Sequence, residues 1–386
     1  MTRSWPPAPL ADDGLAAALQ PLGRSRMLPA AAYTSPDVLA WERRHLFAGT
    51  WSCLGRLDEL LDGVTHRGAT AGDIPVLLVR RADQDGCQDG DRVEAFANTC
   101  RHRGHELLPD GGTSPRDVVV CPYHAWAYGL DGRLRGAPGF REVPGFDPAQ
   151  HSLVRLPAVS WHGWVFVNGT GDAGPFEGHL GAMAGLVAPY QPRALRLAAA
   201  HDYEVAANWK VIVENYHECY HCPHIHPELC AVSPPGSGDN YDLPGAWVGG
   251  AMDLREHAET MSIDGRSGGA FLPGAQRRRV LYLSLLPNLL LSLHPDYVMT
   301  HLLTPLSAGR TRVRCSWYLP DGVDDASYAT RFWDLTNRQD WAACESVQRG
   351  LRSPHFRPGP FAPSEDAVHQ WVTMIARAYL GEPPGD

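Results

Sequence analysis

Two short segments of the sequence each offer one cysteine and one histidine, and eighteen residues lie between them. They read Cys100-Arg-His102 and Cys121-Pro-Tyr-His124, and each follows a run of β-prone residues. If the two loops face each other, two thiolates can hold one iron and two imidazoles another, which is the ligand set of a 2Fe-2S cluster with a raised reduction potential. A zinc site of two cysteines and two histidines normally takes both cysteines from one knuckle and both histidines from a helix. The spacing therefore favours the iron–sulfur cluster.

Residues 208–227 form a second segment that is rich in metal-ligand residue types. Two histidines and one carboxylate that leave coordination positions open form the facial arrangement of non-haem Fe(II) oxygenases, and the open positions receive O2. Residues 205–221 are predicted to be helical, which places Glu218 and His221 on one helix face because they are three residues apart. The segment is therefore a candidate iron site for O2 chemistry.

An unbroken helix could not bring His221 and His226 to one ion. Five residues turn an ideal helix by about 140° relative to the starting side chain. Pro223 and Pro227 both disfavour a continuous helix, so the chain is expected to bend between the two histidines.

Both segments resemble the ring-hydroxylating oxygenase α-subunit family, whose members are Rieske non-haem iron enzymes. Cys100-Arg-His-Arg-Gly and Cys121-Pro-Tyr-His-Ala-Trp are similar to the Rieske domain of that family, and Gly163-Trp-Val-Phe-Val-Asn resembles the end of the domain. Asn208-Trp-Lys, followed by a carboxylate and Tyr-His, resembles the mononuclear iron motif. The likeness extends from about Leu28 through the C-terminal region. It implies that the 2Fe-2S cluster is bound by Cys100, His102, Cys121 and His124.

The same resemblance assigns the mononuclear iron ligands. By position, His221 and His226 are the two histidines, and the third ligand is an acid on a distant late helix. Asp340, in Asn337-Arg-Gln-Asp-Trp, corresponds best to that acid, and Glu345 is the second choice. Without the family, a solvated helix carboxylate remains the alternative for either acid.

Glu218 corresponds to the bridging carboxylate of the family, which links the mononuclear iron to a Rieske cluster on the adjacent subunit. The resemblance implies a homotrimer in which electrons pass between neighbouring subunits, because the two metal sites of one chain are too far apart. It also implies a separate NAD(P)H-dependent reductase that supplies electrons one at a time, so that O2 is activated at the iron beside the substrate.

The segment Tyr216-His-Glu-Cys-Tyr-His-Cys is most similar to glycine betaine, stachydrine and carnitine oxygenases. The expected function is therefore the terminal oxygenase component of a monooxygenase that hydroxylates or oxidatively N-demethylates a small quaternary-ammonium-type substrate. A ring-hydroxylating dioxygenase that acts on an aromatic substrate is the alternative. Aromatic faces bind such cations, and the catalytic half offers four candidates: Trp247, Tyr282, Tyr297 and Trp317.

The elements that must position these residues indicate an α+β protein. A capped helix is predicted to begin at Ser35, and short β-prone runs follow at 75–79, 93–98, 118–120 and 164–168. Farther along, helices are predicted at 205–221 and 326–350, with strands at 280–293, 297–305 and 311–319. Together with the family resemblance, this predicts an N-terminal helical segment (1–45), an all-β Rieske 2Fe-2S domain (46–170) and an α+β helix-grip catalytic domain with the mononuclear iron (171–386).

Two other motifs are interpreted as incidental. Gly169-Thr-Gly-Asp-Ala-Gly174 matches a dinucleotide fingerprint, but Pro175 follows it and no phosphate-binding helix within a βαβ unit is predicted, so a Gly-rich joint is favoured. Cys219 and Cys222 have the spacing of a redox pair, but they alternate with Glu218 and His221, which favours a role at the metal site over thioredoxin-like chemistry.

The remaining composition narrows the class. Nine cysteines, an odd number, make a disulfide framework unexpected, and five of them are expected to be small buried residues: Cys53, Cys87, Cys230, Cys315 and Cys344. The net charge of -9 offers no basic stripe for nucleic acid and no polybasic anchor for a membrane. A signal peptide and a membrane span are absent from the sequence pattern, so a cytoplasmic location is expected. A Rieske electron carrier or a zinc-stabilised binding protein is the alternative from another class, but a carrier has no use for His221 and His226.

Overall fold

The computed structural model describes residues 5–81 and 92–384. The chain divides into two compact units, of which one contains Met1–Trp41 and Glu177–Asp386 and the other contains Glu42–Phe176. Cys87, expected to be a small buried residue, lies outside the described residues. In the described parts of the chain, no helix combines the length and the apolar character needed to cross a membrane.

The N-terminal segment contains short helices. Ser35 Oγ accepts a hydrogen bond from the Val38 N–H at 3.4 Å, at the start of the predicted helix. A π-helical turn, Arg43–Phe47, follows the third helix. The three helices are α1 (Asp12–Ala18), α2 (Ala30–Thr34) and α3 (Pro36–Glu42).

The smaller unit is built from three antiparallel sheets. Their strand orders are β1-β10-β9, β2-β3-β4-β8 and β5-β6-β7, and the predicted all-β class is confirmed for this unit. Its elements are β1 (Ser52–Arg56), α4 (Leu57–Leu60), β2 (His66–Ala71), β3 (Ile74–Arg81), β4 (Arg92–Ala97), β5 (Val118–Val120), β6 (Ala127–Gly129), β7 (Leu134–Gly136), β8 (Arg155–Leu156), β9 (Ala158–Trp161) and β10 (Trp164–Val167).

Strand β3 is buried on both faces, which explains its uninterrupted apolar sequence. Val76 and Leu78 point into one core cluster. Leu77 and Val79 point to the other face, into a second cluster that also contains Cys100 and both Cys121 and Trp126. The candidate iron–sulfur loops therefore rest on a packed apolar base rather than on solvent-exposed chain.

The larger unit contains one seven-stranded antiparallel sheet and the long C-terminal helices. Its strand order is β11-β17-β16-β15-β14-β13-β12. Its elements are α5 (Phe176–Leu180), α6 (Met183–Val187), β11 (Arg196–Val205), α7 (Trp209–Tyr216), α8 (Cys222–Ile225), α9 (Pro227–Val232), β12 (Asp239–Asn240), β13 (Trp247–Asp253), β14 (Arg279–Leu285), β15 (Leu289–Leu293), β16 (Val298–Ser307), β17 (Arg310–Leu319), α10 (Ser327–Leu351) and α11 (Asp366–Tyr379).

Helix α10 supplies one apolar face to a core cluster of this unit. Phe332 and Trp333 pack in a cluster with Leu229 of α9 and with Met299 and Trp317 of the sheet. A sheet whose helices are segregated in sequence is an α+β arrangement, so the predicted fold class is confirmed. The predicted helix 326–350 agrees with α10 to one residue, whereas the predicted strand 280–293 is split into β14 and β15.

The helix predicted over 205–221 is shorter than expected. Val205 still belongs to β11, where it pairs with Thr311 of β17. Asn208 caps α7, because its side-chain oxygen accepts a hydrogen bond from the Lys210 N–H at 3.0 Å. The helix ends at Tyr216. The prediction that Glu218 and His221 share a helix face is therefore wrong, since both lie in the loop between α7 and α8.

Candidate metal centres and the adjoining cavity

Two loops of the smaller unit close through the same backbone hydrogen bonds. In each loop the cysteine N–H donates to the carbonyl five residues ahead at 2.8 Å, and the cysteine carbonyl accepts from the N–H four residues ahead at 3.0 Å. The partners are His105 and Gly104 for Cys100, and Trp126 and Ala125 for Cys121. The fourth residue has a positive φ in both loops, 74° at Gly104 and 56° at Ala125. The backbone therefore presents two equivalent Cys–His hairpins.

The four predicted cluster ligands meet between these hairpins. Cys100 and Cys121 are buried at 2% exposure each, and the His102 and His124 rings lie 4.7 Å apart. His102 stacks on the buried Trp126 ring at 4.9 Å and 8°. Its Nδ1 is buried without a hydrogen-bond partner among the described residues. Two paired thiols beside two adjacent imidazoles, one with an unpartnered nitrogen, fit a mixed-ligand 2Fe-2S cluster.

Tyr128 is a further residue of this site that the sequence did not reveal. Its hydroxyl accepts a hydrogen bond from the Arg101 N–H at 2.9 Å and lies 3.4 Å from Cys100 Sγ. The hydroxyl proton is therefore directed to the sulfur. A hydrogen bond to a ligand sulfur tunes the potential of a cluster. The only sequence signal was the position of Tyr128 in β6, directly after the second Cys–His loop.

Three ligand-type side chains converge in the larger unit. His226 Nε2 lies 2.9 Å from Asp340 Oδ1 and 3.1 Å from His221 Nε2. His221 Nε2 lies 3.4 Å from the same Asp340 oxygen. These donor atoms all lie within 4.8 Å of one another, which is the spacing of ligands around one ion. The structure thus brings together the three residues that the sequence predicted.

Both histidines are oriented by an acceptor on their other ring nitrogen. His221 Nδ1–H donates to Glu218 Oε1, and Glu218 Oε2 accepts the Tyr220 and His221 N–H groups at 2.5 and 3.1 Å. His226 Nδ1–H donates to Gln339 Oε1 at 2.7 Å. Each Nε2 is therefore aimed at the shared centre, where a bound metal ion would replace its proton. Gln339 was not predicted, although it precedes Asp340 in the sequence.

The electrostatics of the group are those of a site for a cation. Burial lowers the pKa of His221, but hydrogen bonds from the ring to Asp340 and Glu218 outweigh it and raise that pKa to about 9. Burial raises the pKa of Asp340, but its hydrogen bonds with both histidines prevail and leave that pKa below the ordinary value. The acids therefore favour positive charge at the imidazoles, and a bound divalent ion would supply that charge in place of protons.

The second choice for the third ligand, Glu345, lies outside this group. Its carboxylate accepts a hydrogen bond from the Ala206 N–H at 3.0 Å. His217 is buried and bonded to Ser284 Oγ at 2.6 Å. Burial lowers the pKa of His217 to about 3, so its imidazole is neutral at physiological pH.

The bend between His221 and His226 comes from two short helices. His221 precedes α8, in which Pro223 occupies one of the first two positions, and His226 lies between α8 and α9. Cys219 and Cys222 form a disulfide across this turn. This single disulfide was not predicted, since the odd number of cysteines made a disulfide framework unexpected.

A cavity of about 640 Å³ opens beside the three ligand-type residues, which form part of its wall. Helix α10 lines it with residues spaced along one face, namely Trp333, Thr336, Asn337, Asp340 and Trp341. Of the four aromatic candidates, Tyr282 lines the cavity. The other three, Trp247, Tyr297 and Trp317, are at most 3% exposed and, among the described residues, are not part of its wall.

Tyr216 and Tyr282 present ring surface to this cavity. The two rings lie 5.8 Å apart at 78°, and the hydroxyl of Tyr216 is 2.9 Å from both the Leu291 carbonyl and Ser292 Oγ. Tyr216 was not predicted as part of the pocket. Its place at the end of α7, five residues before His221, was the signal that could have found it.

Two family models match the chain. The Rieske [2Fe-2S] domain matches residues 50–147, and the catalytic domain of the ring hydroxylating alpha subunit matches residues 192–381. The described loops and the three-residue metal group fall inside these two ranges.

Curated relatives are oxygenase subunits. The glycine betaine monooxygenase oxygenase subunit of Chromohalobacter salexigens is 29% identical, with 92% of this chain and 86% of the relative covered. The carnitine monooxygenase oxygenase subunit of Escherichia coli K12 is 36% identical over 52% of each chain.

Two solved structures have folds similar to that of this chain. The quaternary ammonium Rieske monooxygenase CntA in complex with L-carnitine has a TM-score of 0.74 and 25% identity over 96% of this chain and 99% of that chain. Naphthalene 1,2-dioxygenase from Rhodococcus has a TM-score of 0.72 at 16% identity, over 96% of each chain, and shares the fold.

Proposed function

The chain carries both domains of a Rieske oxygenase α-subunit and belongs to that family of iron-dependent oxidoreductases, and on this premise we propose that it is the oxygenase component of a quaternary-amine monooxygenase. The expected reaction is hydroxylation, or oxidative removal of an N-methyl group, with O2 as the oxidant. The observation that carries the proposal is the group of His221, His226 and Asp340, which opens directly onto a cavity with aromatic walls.

The proposed metal ligands follow from the geometry of the two sites. Cys100, His102, Cys121 and His124 would hold the 2Fe-2S cluster, and His221, His226 and Asp340 would hold one Fe(II). Once bound, the cluster supplies electrons singly and the Fe(II) supplies the site for O2. Since the three residues are part of the cavity wall, the cavity would admit O2 and substrate to the bound ion.

The protein residues around the metal group have separate tasks. Glu218 fixes the ring of His221, and Gln339 fixes the ring of His226. Such contacts hold the tautomer and the direction of a ligand histidine. Asp340 reaches the same centre from α10, so the site depends on the packing of α10 against α7.

Glu218 is also proposed as the bridge to the cluster of an adjacent subunit in a homotrimer. Its carboxylate is 15% exposed and bonded to a ligand histidine, which is a suitable position for contact with a second subunit. The electrons are proposed to come from a separate NAD(P)H-dependent reductase. The solved structure of a quaternary ammonium Rieske monooxygenase, 25% identical to this chain with a TM-score of 0.75, gives insight into inter-subunit electron transfer in that protein.

The substrate class rests on two independent supports. The relatives named above act on glycine betaine and carnitine by their names. In this chain, the rings of Tyr216, Tyr282, Trp333 and Trp341 line the cavity, and aromatic faces attract quaternary ammonium groups.

Product analysis tests the proposal. The oxygenase, loaded with iron and cluster and supplied by a reductase, is given a panel of quaternary amines and a panel of simple aromatics. O2-dependent hydroxylation or formaldehyde release from the amines is expected. Dihydroxylation of the aromatics with unchanged amines would contradict the amine proposal and favour an aromatic dioxygenase.

A further inference from the structure

The two ligand-type histidines are oriented by acceptors of different chemistry. Glu218 presents a carboxylate to the His221 Nδ1–H, and both oxygens of a carboxylate only accept hydrogen bonds. Gln339 presents a carboxamide to the His226 Nδ1–H, at 2.7 Å. A carboxamide has an accepting oxygen on one side and a donating NH2 group on the other. It therefore orients a histidine correctly only if a further group fixes which side faces the ring.

Glu228 meets the donating side of this carboxamide. Gln339 Nε2 donates to Glu228 Oε2 at 3.4 Å, while Gln339 Oε1 accepts from His226. Among residues 5–81 and 92–384, the Gln339 side chain makes no other hydrogen bond. The three side chains therefore form a row in which every donor points the same way, from His226 through Gln339 to Glu228.

The packing of two helices holds this row in place. Glu228 lies on α9, directly after the loop position of His226, and Gln339 lies on α10. Leu229 of α9 and Trp333 of α10 belong to the same core cluster. The separation of the carboxylate from the carboxamide is therefore set by the core of the unit.

The opposite direction of the carboxamide is disfavoured by Glu228. It would turn Gln339 Oε1 toward a carboxylate oxygen, so that two acceptors would face each other without a proton between them. It would also turn the NH2 group toward His226 Nδ1, and the proton of the neutral ring would then lie on Nε2. That nitrogen is the atom that approaches His221 and Asp340. The direction that Glu228 favours is thus the one that leaves Nε2 able to bind a metal ion.

From this row of hydrogen bonds we infer that Glu228 is a positioning residue of the mononuclear iron site. It sets the direction of the Gln339 carboxamide and, through it, the tautomer of His226. Among the described residues, Glu228 is not part of the cavity wall, so it acts on the ion through the two other side chains. The inference rests on the proposed function, because it takes His226 as an Fe(II) ligand.

The affinity for Fe(II) tests the inference, measured anaerobically by chelator competition on the cluster-loaded protein. Glu228→Lys replaces the acceptor by a group that only donates, which favours the opposite direction of the carboxamide. The affinity is expected to fall by roughly 10–100-fold, as for a ligand histidine that loses its partner. Glu228→Gln is the conservative variant, since it can still accept from Gln339. If both directions then become equally populated, the loss is about twofold.

A double-mutant cycle separates this route from a direct effect of the new charge on the ion. In the Gln339→Leu background the carboxamide is absent, so Glu228→Lys should change the Fe(II) affinity by about twofold at most. A charge that repelled the ion directly would lower the affinity equally in both backgrounds. Glu177→Lys, at an exposed glutamate of α5, is the charge-reversal control and should leave the affinity unchanged.

The outcomes separate this inference from the proposed function. Equal losses from Glu228→Lys in the two backgrounds would overturn the inference and leave the iron site intact, as would a loss below about threefold in the unaltered background. A loss in Glu228→Gln as large as that in Glu228→Lys would also overturn it, because the packing of the side chain would then be the cause. Absence of Fe(II) binding at this site in the unaltered protein would overturn the proposed function, and this inference with it.

Discussion

The two candidate metal sites are built by different means. The cluster ligands all lie within residues 100–124, on two hairpins that are closed by equivalent backbone hydrogen bonds. The mononuclear ligands come from two parts of the chain, since His226 and Asp340 are 114 residues apart. Their positions are set by side chains, Glu218 and Gln339. Retention of the cluster should therefore depend on the φ angles of the hairpins. Retention of the mononuclear iron should depend on single neighbouring side chains.

Asp340→Ala should separate the two sites most sharply. Removal of the only carboxylate ligand leaves two histidines, so the mononuclear iron should be lost and product formation should cease. Iron content should fall from about three to about two per chain, and the 2Fe-2S absorbance should remain. Glu345→Ala is the control, because Glu345 bonds to the Ala206 N–H. Loss of cluster absorbance in Asp340→Ala would show that the sites are not built independently.

Glu218→Gln should slow turnover strongly without removing either metal. Glutamine keeps an oxygen for the His221 Nδ1–H, so the ligand should stay in place, but the negative charge next to it is lost. Turnover should fall by roughly 100-fold, with iron content and cluster spectrum unchanged. Glu177→Gln, at an exposed glutamate of α5, is the matched control. Full activity of Glu218→Gln would refute the proposed relay, and loss of iron would assign Glu218 to metal retention.

The larger unit should also respond to pH through Glu214, which has no counterpart in the cluster hairpins. Burial raises the pKa of this carboxyl to about 7, although the Tyr33 hydroxyl donates to it at 2.7 Å and Lys210 opposes the rise. The pKa of Glu214 is higher in the folded state than in the unfolded state. Its contribution to the unfolding free energy is therefore fully present below about pH 4.5 and is lost as the pH rises through 7. The loss amounts to roughly 3 kcal/mol of unfolding free energy.

Glu214→Gln should remove that pH dependence. Urea unfolding at pH 5 and pH 8, read by the fluorescence of the larger unit, gives the change in unfolding free energy with pH for the variant and for the unaltered protein. Glu204→Gln, on the exposed edge of β11, is the control and should show the same change with pH as the unaltered protein. An identical pH response of the Glu214 variant and the unaltered protein would contradict the raised pKa.

Gln339→Leu should weaken the mononuclear site without abolishing it. The His226 Nδ1–H would lose its acceptor, and ligand histidines without such a partner typically cost 10–100-fold in metal affinity. Iron affinity measured by chelator competition should fall within about that range, and the cluster should be unaffected. Gln339→Glu is the informative control, because it keeps an acceptor. Equal loss in both variants would mean that packing, rather than the hydrogen bond, fixes His226.

The same contrast explains what the sequence could predict. The cluster ligands are local, and their two Cys–His motifs were enough to predict them as a set. The pair His221 and His226 was also local, and the two prolines predicted the bend between them. The choice of Asp340 over Glu345 needed the family, because five residues on one helix differ in direction by about 140° and the sequence does not show which direction faces the site.

Residues that act through others were largely missed. Gln339, Tyr128 and Tyr216 are ordinary residues in the sequence, and their roles depend on where strands and helices pack. The helix over 205–221 was predicted too long because apolar residues occur on both sides of Asn208. Its actual start is decided by the pairing of β11, which includes Val205, and by the cap at Asn208. The disulfide was missed because cysteine counting describes the whole chain and cannot see one tight turn.

Substitutions at the positive-φ positions of the cluster hairpins should have the smallest effect. Gly104 and Ala125 occupy equivalent positions with positive φ, where an L side chain is disfavoured and glycine is not. A Cβ at Gly104 would meet nothing within 4 Å, so Gly104→Ala should cost only the conformational term, about 1 kcal/mol. Ala125→Gly should recover about the same amount. The loss of cluster absorbance with urea measures the change in stability caused by each substitution. The two changes should have opposite signs, because the two hairpins are equivalent. Equal signs would mean that the contacts around the hairpins, rather than their shared φ, govern cluster retention.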